Sequence, residues 1–394
     1  MLETLQQMLP ISSPLAVLTT LAAIASAFFF LEHITKWKLF SYLPPLLFIY
    51  AVPMVFSNTG LLVDKSPIYD VMSSTVLPFL LVVMLLKVDV VSTVRVMGKG
   101  ILVMLCGTAG VVLGAPLAYA IIKGKLDPTG WKAFGTLAGS WIGGTGNMAA
   151  VSEGIEASGT EFGLAVLGDN AVYLVWLPIL LGSKSLAGRF NRFARVDPKR
   201  VKMLEESSDG LERSEEKPAM RHLLYLLLLG LGVTLLAETI SQGLPQWPPV
   251  LTASSWKILL VTTFGLLLST TPARKIPGSH ELAMALIYLF VANMGAKASL
   301  AGLKDQALWF VLGAYIWIAL HGFFCILAAR LFHVDIHSTA IASAANIGGA
   351  ASAPVVAAHH NPKLVPVSIL MALIGYAIGT YGAFVAAWLC QLLA

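Results

Sequence analysis

The sequence predicts an all-α polytopic membrane protein made of two inverted-topology repeats, each of about five transmembrane helices plus one re-entrant, glycine-rich hairpin. Three observations carry that expectation. The 394 residues are 57% hydrophobic and 12% charged, with a mean hydropathy of +0.79, far from the composition of a soluble domain. About twelve apolar runs recur on either side of one charged segment, most of them close to the roughly 20 residues that cross a bilayer. The fifth run of each half is broken by glycines among small polar residues, "AGSWIGGTGNMAAV" at 138–151 and "SAANIGGAASAPVV" at 343–356.

The first repeat is assigned to residues 1–183, with runs near 14–31, 39–56, 71–90, 99–122, 131–152 and 160–183 and its hairpin at 131–158. Met1, Leu2 and Glu3 carry no basic n-region, so the N-terminus is expected to be kept. Residues 184–220 form a charged linker. Its Lys184, Arg189, Arg192, Arg195, Lys199, Arg200 and Lys202 place it on the cytoplasmic side by the positive-inside rule. The second repeat, 221–394, has runs near 221–241, 254–271, 281–300, 305–331, 338–358 and 364–391, with its hairpin at 338–358. Six runs, a linker and six more point to duplication.

Parity decides between a spanning and a dipping fifth run. If all runs span, Lys36, Lys38, Lys87, Arg95 and Lys99 fall opposite the basic linker. If the fifth run of each half enters and returns, these residues and Arg274 and Lys275 become cytoplasmic, and only Lys123, Lys125 and Lys132 lie outside. Five crossings per half also invert the second repeat, so the hairpins enter from opposite faces and meet near the midplane. Non-helical backbone survives at that depth only where protein wraps it or it lines a wet cavity. The hairpins are therefore read as a binding site. Helix packing by small residues explains the glycines and alanines but not Ser140, Thr145 and Asn147, nor Ser343, Asn346 and Ser352. In "GTAGVVLGAP" at 107–116, which lacks such polar content, packing is the better reading.

Asp169 and Asn170 lie inside the run after the first hairpin. An intramembrane carboxylate is a functional candidate by default. Asp169, with Asn170, Thr145, Asn147 and backbone carbonyls, is expected to hold a hard cation; alternatives are a purely structural hydrogen bond or a proton site. His321 and Asn293 also lie within runs. His321 suits a proton relay or, more simply, a hydrogen bond to a neighbouring helix, and Asn293 is placed to line the cavity. Glu238 and Glu281 sit at run ends and receive no role. His333, His337, His359 and His360 flank the second hairpin without zinc spacing.

Several classes are excluded. Cys106, Cys325 and Cys390 are scattered through apolar runs, which suits neither a disulfide framework nor a metal site. The net charge of +5 collects in one loop and at helix ends, so it reads as membrane orientation, with no nucleic-acid partner. There is no Walker sequence, no Gly-x-Ser-x-Gly elbow and no His-Glu-x-x-His, and "GGTGNM" fails the dinucleotide fingerprint. No catalytic activity, cofactor or resident metal is expected, and a nucleotide-driven pump is disfavoured.

The paired segments "GSWIGGTGNMAAV" and "ASAANIGGAASAPVVAA", with "LGDNAVYLVWL", resemble a bacterial and plastid membrane family of unknown function, the YjcL-like proteins, over nearly the whole chain. That family is distantly similar to the glutamate:sodium and citrate:sodium symporters and to the wider superfamily of bile-acid symporters and sodium/proton antiporters. The resemblance implies a homodimeric carrier whose hairpin-bearing domain slides against a scaffold. It also implies that Gly143, Gly144, Thr145, Gly146 and Asn147, and Asn346, Gly348, Gly349 and Ser352, form tips holding solute and sodium, with Ser140 and Ser343 beside them. The glutamate symporter's hairpin has a histidine after its glycines, where this chain has Thr145 and Asn147, which points away from glutamate.

The expectation is thus a secondary active transporter of the inner (cytoplasmic) membrane. It would couple sodium to symport of a small organic solute, a carboxylate or amino acid, by an elevator-type mechanism. A sodium/proton antiporter is the alternative within transport. An intramembrane enzyme lacks a credible nucleophile–base pair, and a membrane receptor lacks a signalling domain.

Overall fold

The computed structural model describes residues 10–37, 39–89, 98–197 and 217–394. Lys38 and Arg95, and Lys199, Arg200 and Lys202 of the linker, lie outside the described residues. The chain is an all-helical, polytopic membrane protein. Among the described residues seven helices are long and apolar enough to cross a membrane by length and composition.

In chain order the first half has α1 (Pro14–Thr35), α2 (Pro45–Asn58), α3 (Pro67–Leu85), α4 (Gly100–Ile122), α5 (Gly130–Gly154) and α6 (Gly159–Gly182), followed by the short α7 (Ala187–Ala194). The second half has α8 (Met220–Ser241), α9 (Ala253–Ser269), α10 (Ser279–Ala296), α11 (Leu300–Phe332), α12 (Ile336–Ile347), α13 (Gly349–His360) and α14 (Val365–Gln391). Local chemistry sets several boundaries. Ser13 caps α1 by accepting from the Ala16 N–H at 3.1 Å, and Ser158 and Glu161 form a capping box on α6. The apolar run near 39–56 divides into one helical turn at Leu39–Tyr42 and α2 from Pro45, because Pro44 and Pro45 bias the residue before each of them away from helical backbone. Within α3 the chain loosens into a π-helical turn at Met72–Val76.

Burial follows the bilayer as solvent. Helix α1 buries only Val17, Leu21, Ile24 and Ala25, while Leu15, Phe30 and Ile34 stay exposed, as an apolar helix facing lipid should. In contrast α5 is buried along almost its whole length, from Gly130 to Gly154. Helices α1, α2, α3, α8, α9 and α10 pack chiefly on one another, and so do α4, α5, α6, α11, α12, α13 and α14. The molecule therefore has two helical bodies.

The broken elements belong to the second body. Helix α5 is interrupted at Gly144, whose φ of 75° and ψ of −173° are open essentially only to glycine. The chain reverses there. A Cβ at Gly139 would lie 2.7 Å from the Asn147 carbonyl oxygen, whereas eight residues of continuous helix span roughly 12 Å. Gly348 and Gly349, the latter at φ 56°, make the corresponding break between α12 and α13, and the outer ends of that pair meet where the rings of His337 and His360 approach to 3.0 Å. Both elements are hairpins. The first is rooted beside the start of α6 and α9, where Ser255 Oγ donates to the Gly154 carbonyl at 2.6 Å. The second is rooted beside the end of α6, where Lys184 Nζ reaches the His359 carbonyl at 2.6 Å. Their roots are thus a full length of α6 apart, yet their tips touch: a Cβ at Gly349 would lie 3.6 Å from Gly144 Cα.

Candidate functional site

Asp169 stands at the middle of α6, level with the two tips. Both of its carboxylate oxygens accept from the first arm of the α5 hairpin, Oδ2 from Ser140 Oγ at 3.0 Å and Oδ1 from Trp141 Nε1 at 2.9 Å. The Trp141 ring is fully buried and packs on Trp317 at 4.6 Å, so an aromatic wall fixes the donor that fixes the acid. A carboxylate engaged in this way is oriented as well as stabilised, since bonds to an ionised acceptor are the strong ones.

Beside Asp169 lies a cavity of about 210 Å³. The tip segments Gly144–Gly146 and Gly348–Ala351 form one side of it with Ser140, Asp169 and Tyr376, and Met84, His280, Met284, Ile287 and Tyr288 of the other body form the opposite side. Two helical segments begin at this cavity, α13 and the second arm of α5 after Gly144. The first N–H groups of a helix have no partner within it and carry partial positive charge. The cavity thus combines one acid, two sets of backbone donors, Thr145 and two tyrosines with an apolar wall of methionine and isoleucine. That inventory suits a small polar solute with separated charges, or a cation shared with it.

Of the residues singled out in the sequence, Ser140, Gly144, Thr145, Gly146, Asp169, Gly348 and Gly349 line the cavity together. The others serve the walls. Gly143 lets α14 approach, since a Cβ there would lie 2.6 Å from the Gly375 carbonyl oxygen. Asn147 turns the opposite way from Thr145 and donates to the Tyr376 carbonyl at 3.1 Å. Asn170 sits about 100° around the helix from Asp169 and donates to the Val166 carbonyl at 2.7 Å. The expected four-residue cation shell is therefore not gathered in one place; Asp169 and Thr145 alone of that set share the cavity.

In the second hairpin Asn346 donates to the Met104 carbonyl at 3.0 Å and accepts from Thr108 Oγ1 at 3.4 Å, which ties α12 to α4. Ser343 lies 2.9 Å from both Trp176 Nε1 and His321 Nε2. Ser352 packs on Gly348 and stands beside Tyr173, one turn beyond Asp169. His321 also reaches the Gly107 carbonyl at 2.9 Å. Asn293, expected to line the cavity, is buried and does not line it. His333 meets the Ala194 carbonyl at 2.9 Å, and among the described residues no three His, Cys, Asp or Glu side chains are grouped to hold a metal. Glu238 pairs with Lys257 at 3.0 Å.

Sequence reasoning missed Trp141, Tyr376, Tyr288 and His280. Trp141 had a signal, since it adjoins Ser140 in the glycine-rich stretch. The other three sit in ordinary apolar runs or at their edges, where only the fold shows which face meets the tips.

Comparison with known proteins extends over most of the chain. A family model described as a protein of unknown function (DUF819) matches residues 19–392. The uncharacterized membrane protein YjcL of Bacillus subtilis (strain 168) is 28% identical over 353 residues, covering 86% of this chain and 88% of that protein.

Proposed function

This chain belongs to the DUF819 family, and we propose that it is a secondary active transporter that couples sodium to symport of a small organic solute, a carboxylate or amino acid. One observation supports the reading above all: two glycine-broken hairpins, rooted at opposite ends of α6, touch at Gly144 and Gly349 over a cavity that holds Asp169. Exposed backbone donors at such a depth need either a protein partner or a ligand. Sodium at Asp169 would neutralise the acid and order the tips, so solute binds well only with the ion present, a coupling that is reciprocal in free energy.

In this reading the two halves are inverted-topology repeats, the basic linker is cytoplasmic and the protein sits in the inner membrane as a homodimer. The hairpin body would carry the cavity past the body made by α1–α3 and α8–α10. The division of the helices into two packed bodies favours that elevator-type movement.

A thermal-shift screen of purified protein against organic acids and amino acids, in sodium or choline chloride, tests the reading. A solute at about 100 times its Kd should stabilise by about 2.7 kcal/mol, and only in sodium. No stabilisation by any solute and none by sodium would overturn it. Antiport of sodium against protons is the second reading, favoured by Asp169 being the one acid lining this cavity among the described residues. A pH-driven sodium flux that needs no organic solute would select it.

A further inference from the structure

The cavity reaches the surface at His280, which is exposed in the first turn of α10. In the opposite direction, toward the root of the α5 hairpin, α3, the second arm of α5 and α10 remain in mutual contact. On that side lie buried polar groups without a hydrogen-bond partner among the described residues. Asn293 is 0% exposed, and neither its Oδ1 nor its Nδ2 finds a hydrogen-bond partner among the described residues. Ser152 Oγ is likewise buried and unpartnered, and Ser73 Oγ stands beside the Glu153 carboxylate without reaching hydrogen-bond geometry.

These groups lie beyond the cavity on the side of the α5 root. Met84 and Ile287 both meet Gly146 at its edge. From that level Ser152 and Asn293 each lie six positions further along their helices, roughly 9 Å, and Ser73 lies eleven positions back along α3, roughly 16 Å. All three displacements run toward the same end of the molecule. Ser73 belongs to the π-helical turn at Met72–Val76, a distortion frequent at functional sites. Lys297, one turn beyond Asn293, and Lys257 of α9 flank Glu153, and Lys257 Nζ bonds the Ser74 carbonyl of the same π-turn at 2.6 Å. Buried amides and hydroxyls without partners disfavour the conformation that buries them.

The geometry points to this seam, Ser73, Ser152, Glu153 and Asn293, as a second access route to the cavity. It is closed in this conformation and becomes hydrated when α3 and α10 part from the α5 hairpin. The route admits a small polar solute or cation from the end opposite His280, with Glu153 between Lys257 and Lys297 at its mouth. It rests on the transport reading, but it does not depend on sodium.

Single cysteines at His280, Ser73, Asn293 and Phe290, in a background with Cys106, Cys325 and Cys390 replaced by alanine, test it with a membrane-impermeant maleimide. Right-side-out and inside-out vesicles separate the two faces. His280→Cys should react from one face, and Ser73→Cys and Asn293→Cys from the other, at about 0.1–10% of the rate of an exposed cysteine, the usual population of a minor conformer. Rates no faster than Phe290→Cys, or reaction from the His280 face, would overturn the route. Asn293→Leu gives an independent measurement: removing the unpartnered amide should raise Tm and slow labelling at Ser73→Cys, whereas a lowered Tm with unchanged labelling counts against the proposal. Far-face labelling supports the route whether or not sodium alters its rate; indifference to sodium counts against the sodium reading alone.

Discussion

Lys132 Nζ donates to the backbone carbonyl of Glu156 at 2.8 Å across 24 positions of sequence. A continuous helix would hold these residues roughly 36 Å apart, so the bond closes the root of the α5 hairpin as the His337–His360 approach closes the other. Both closures depend on a reversal, and in α5 the reversal is a single residue.

Gly144 takes a φ of 75° and a ψ of −173°, a conformation that costs a side-chain-bearing residue about 1–3 kcal/mol. Gly144→Ala should therefore lower Tm by several degrees and loosen the tip. Gly232→Ala, at a helical position with open space around it, should leave Tm unchanged or raise it. Equal effects of the two substitutions in a thermal melt would show that the reversal does not rest on Gly144.

Asp169→Asn keeps the shape of the side chain but offers a donor where Ser140 or Trp141 already presents one. Trp141 Nε1 can only donate and keeps the amide oxygen, whereas the Ser140 hydroxyl can turn to accept from Nδ2, so both contacts persist as weaker neutral bonds and the fold survives. If Asp169 is the coupling site, the variant should also lose any stabilisation by sodium seen in the parent protein. A sodium-dependent Tm shift that persists in Asp169→Asn would remove this residue from the ion site.

Much of this fold was legible in the sequence because a bilayer demands long apolar helices with few alternatives. The break in the fifth run of each half was legible because glycine, asparagine and serine have no reason to crowd there otherwise. What could not be read was azimuth. Thr145 faces the cavity and Asn147 faces α14, and Asp169 faces the cavity while Asn170 bonds its own helix. Neighbouring residues on a helix point about 100° apart, so one run of polar letters divides between site and wall. The capture of Asp169 by Trp141 was equally hidden, since it joins residues 28 positions apart.

His360 sits at the root of the second hairpin, and its Nε2 must donate to the Leu180 carbonyl at 2.9 Å. Its Nδ1, facing His337 Nδ1 at 3.0 Å, then accepts when the ring is neutral. Burial pushes the His360 pKa below its ordinary 6.5, with His337, His359 and Lys184 adding to the effect against the opposing Leu180 bond. The neutral ring is the native form, so this contribution to stability is complete above pH 6.5 and declines as pH falls from there through the lowered native value. Melts across this range should show a loss of Tm on acidification that is smaller in His360→Asn. An identical pH profile in that variant would mean that other groups govern the acid limb.

The carbonyl of Gly107 can only accept, so His321 Nδ1 carries the proton in their 2.9 Å contact and Nε2 in the neutral ring must accept from Ser343. Ser343 Oγ in turn accepts from Trp176 Nε1 at 2.9 Å. This one-way chain joins α4, α11, α12 and α6, and it sets where the arm leading to Gly348 stands. Asparagine at 321 reproduces the donor to Gly107, whereas glutamine places its amide nearer the position of Nε2. If the link to Ser343 seats the hairpin, His321→Gln should hold Tm better than His321→Asn. In a double-mutant cycle, His321→Ala and Ser343→Ala should couple by about 0.5–3 kcal/mol. Additive losses would mean that His321 steadies α4 alone and that the α12 arm is placed by its packing.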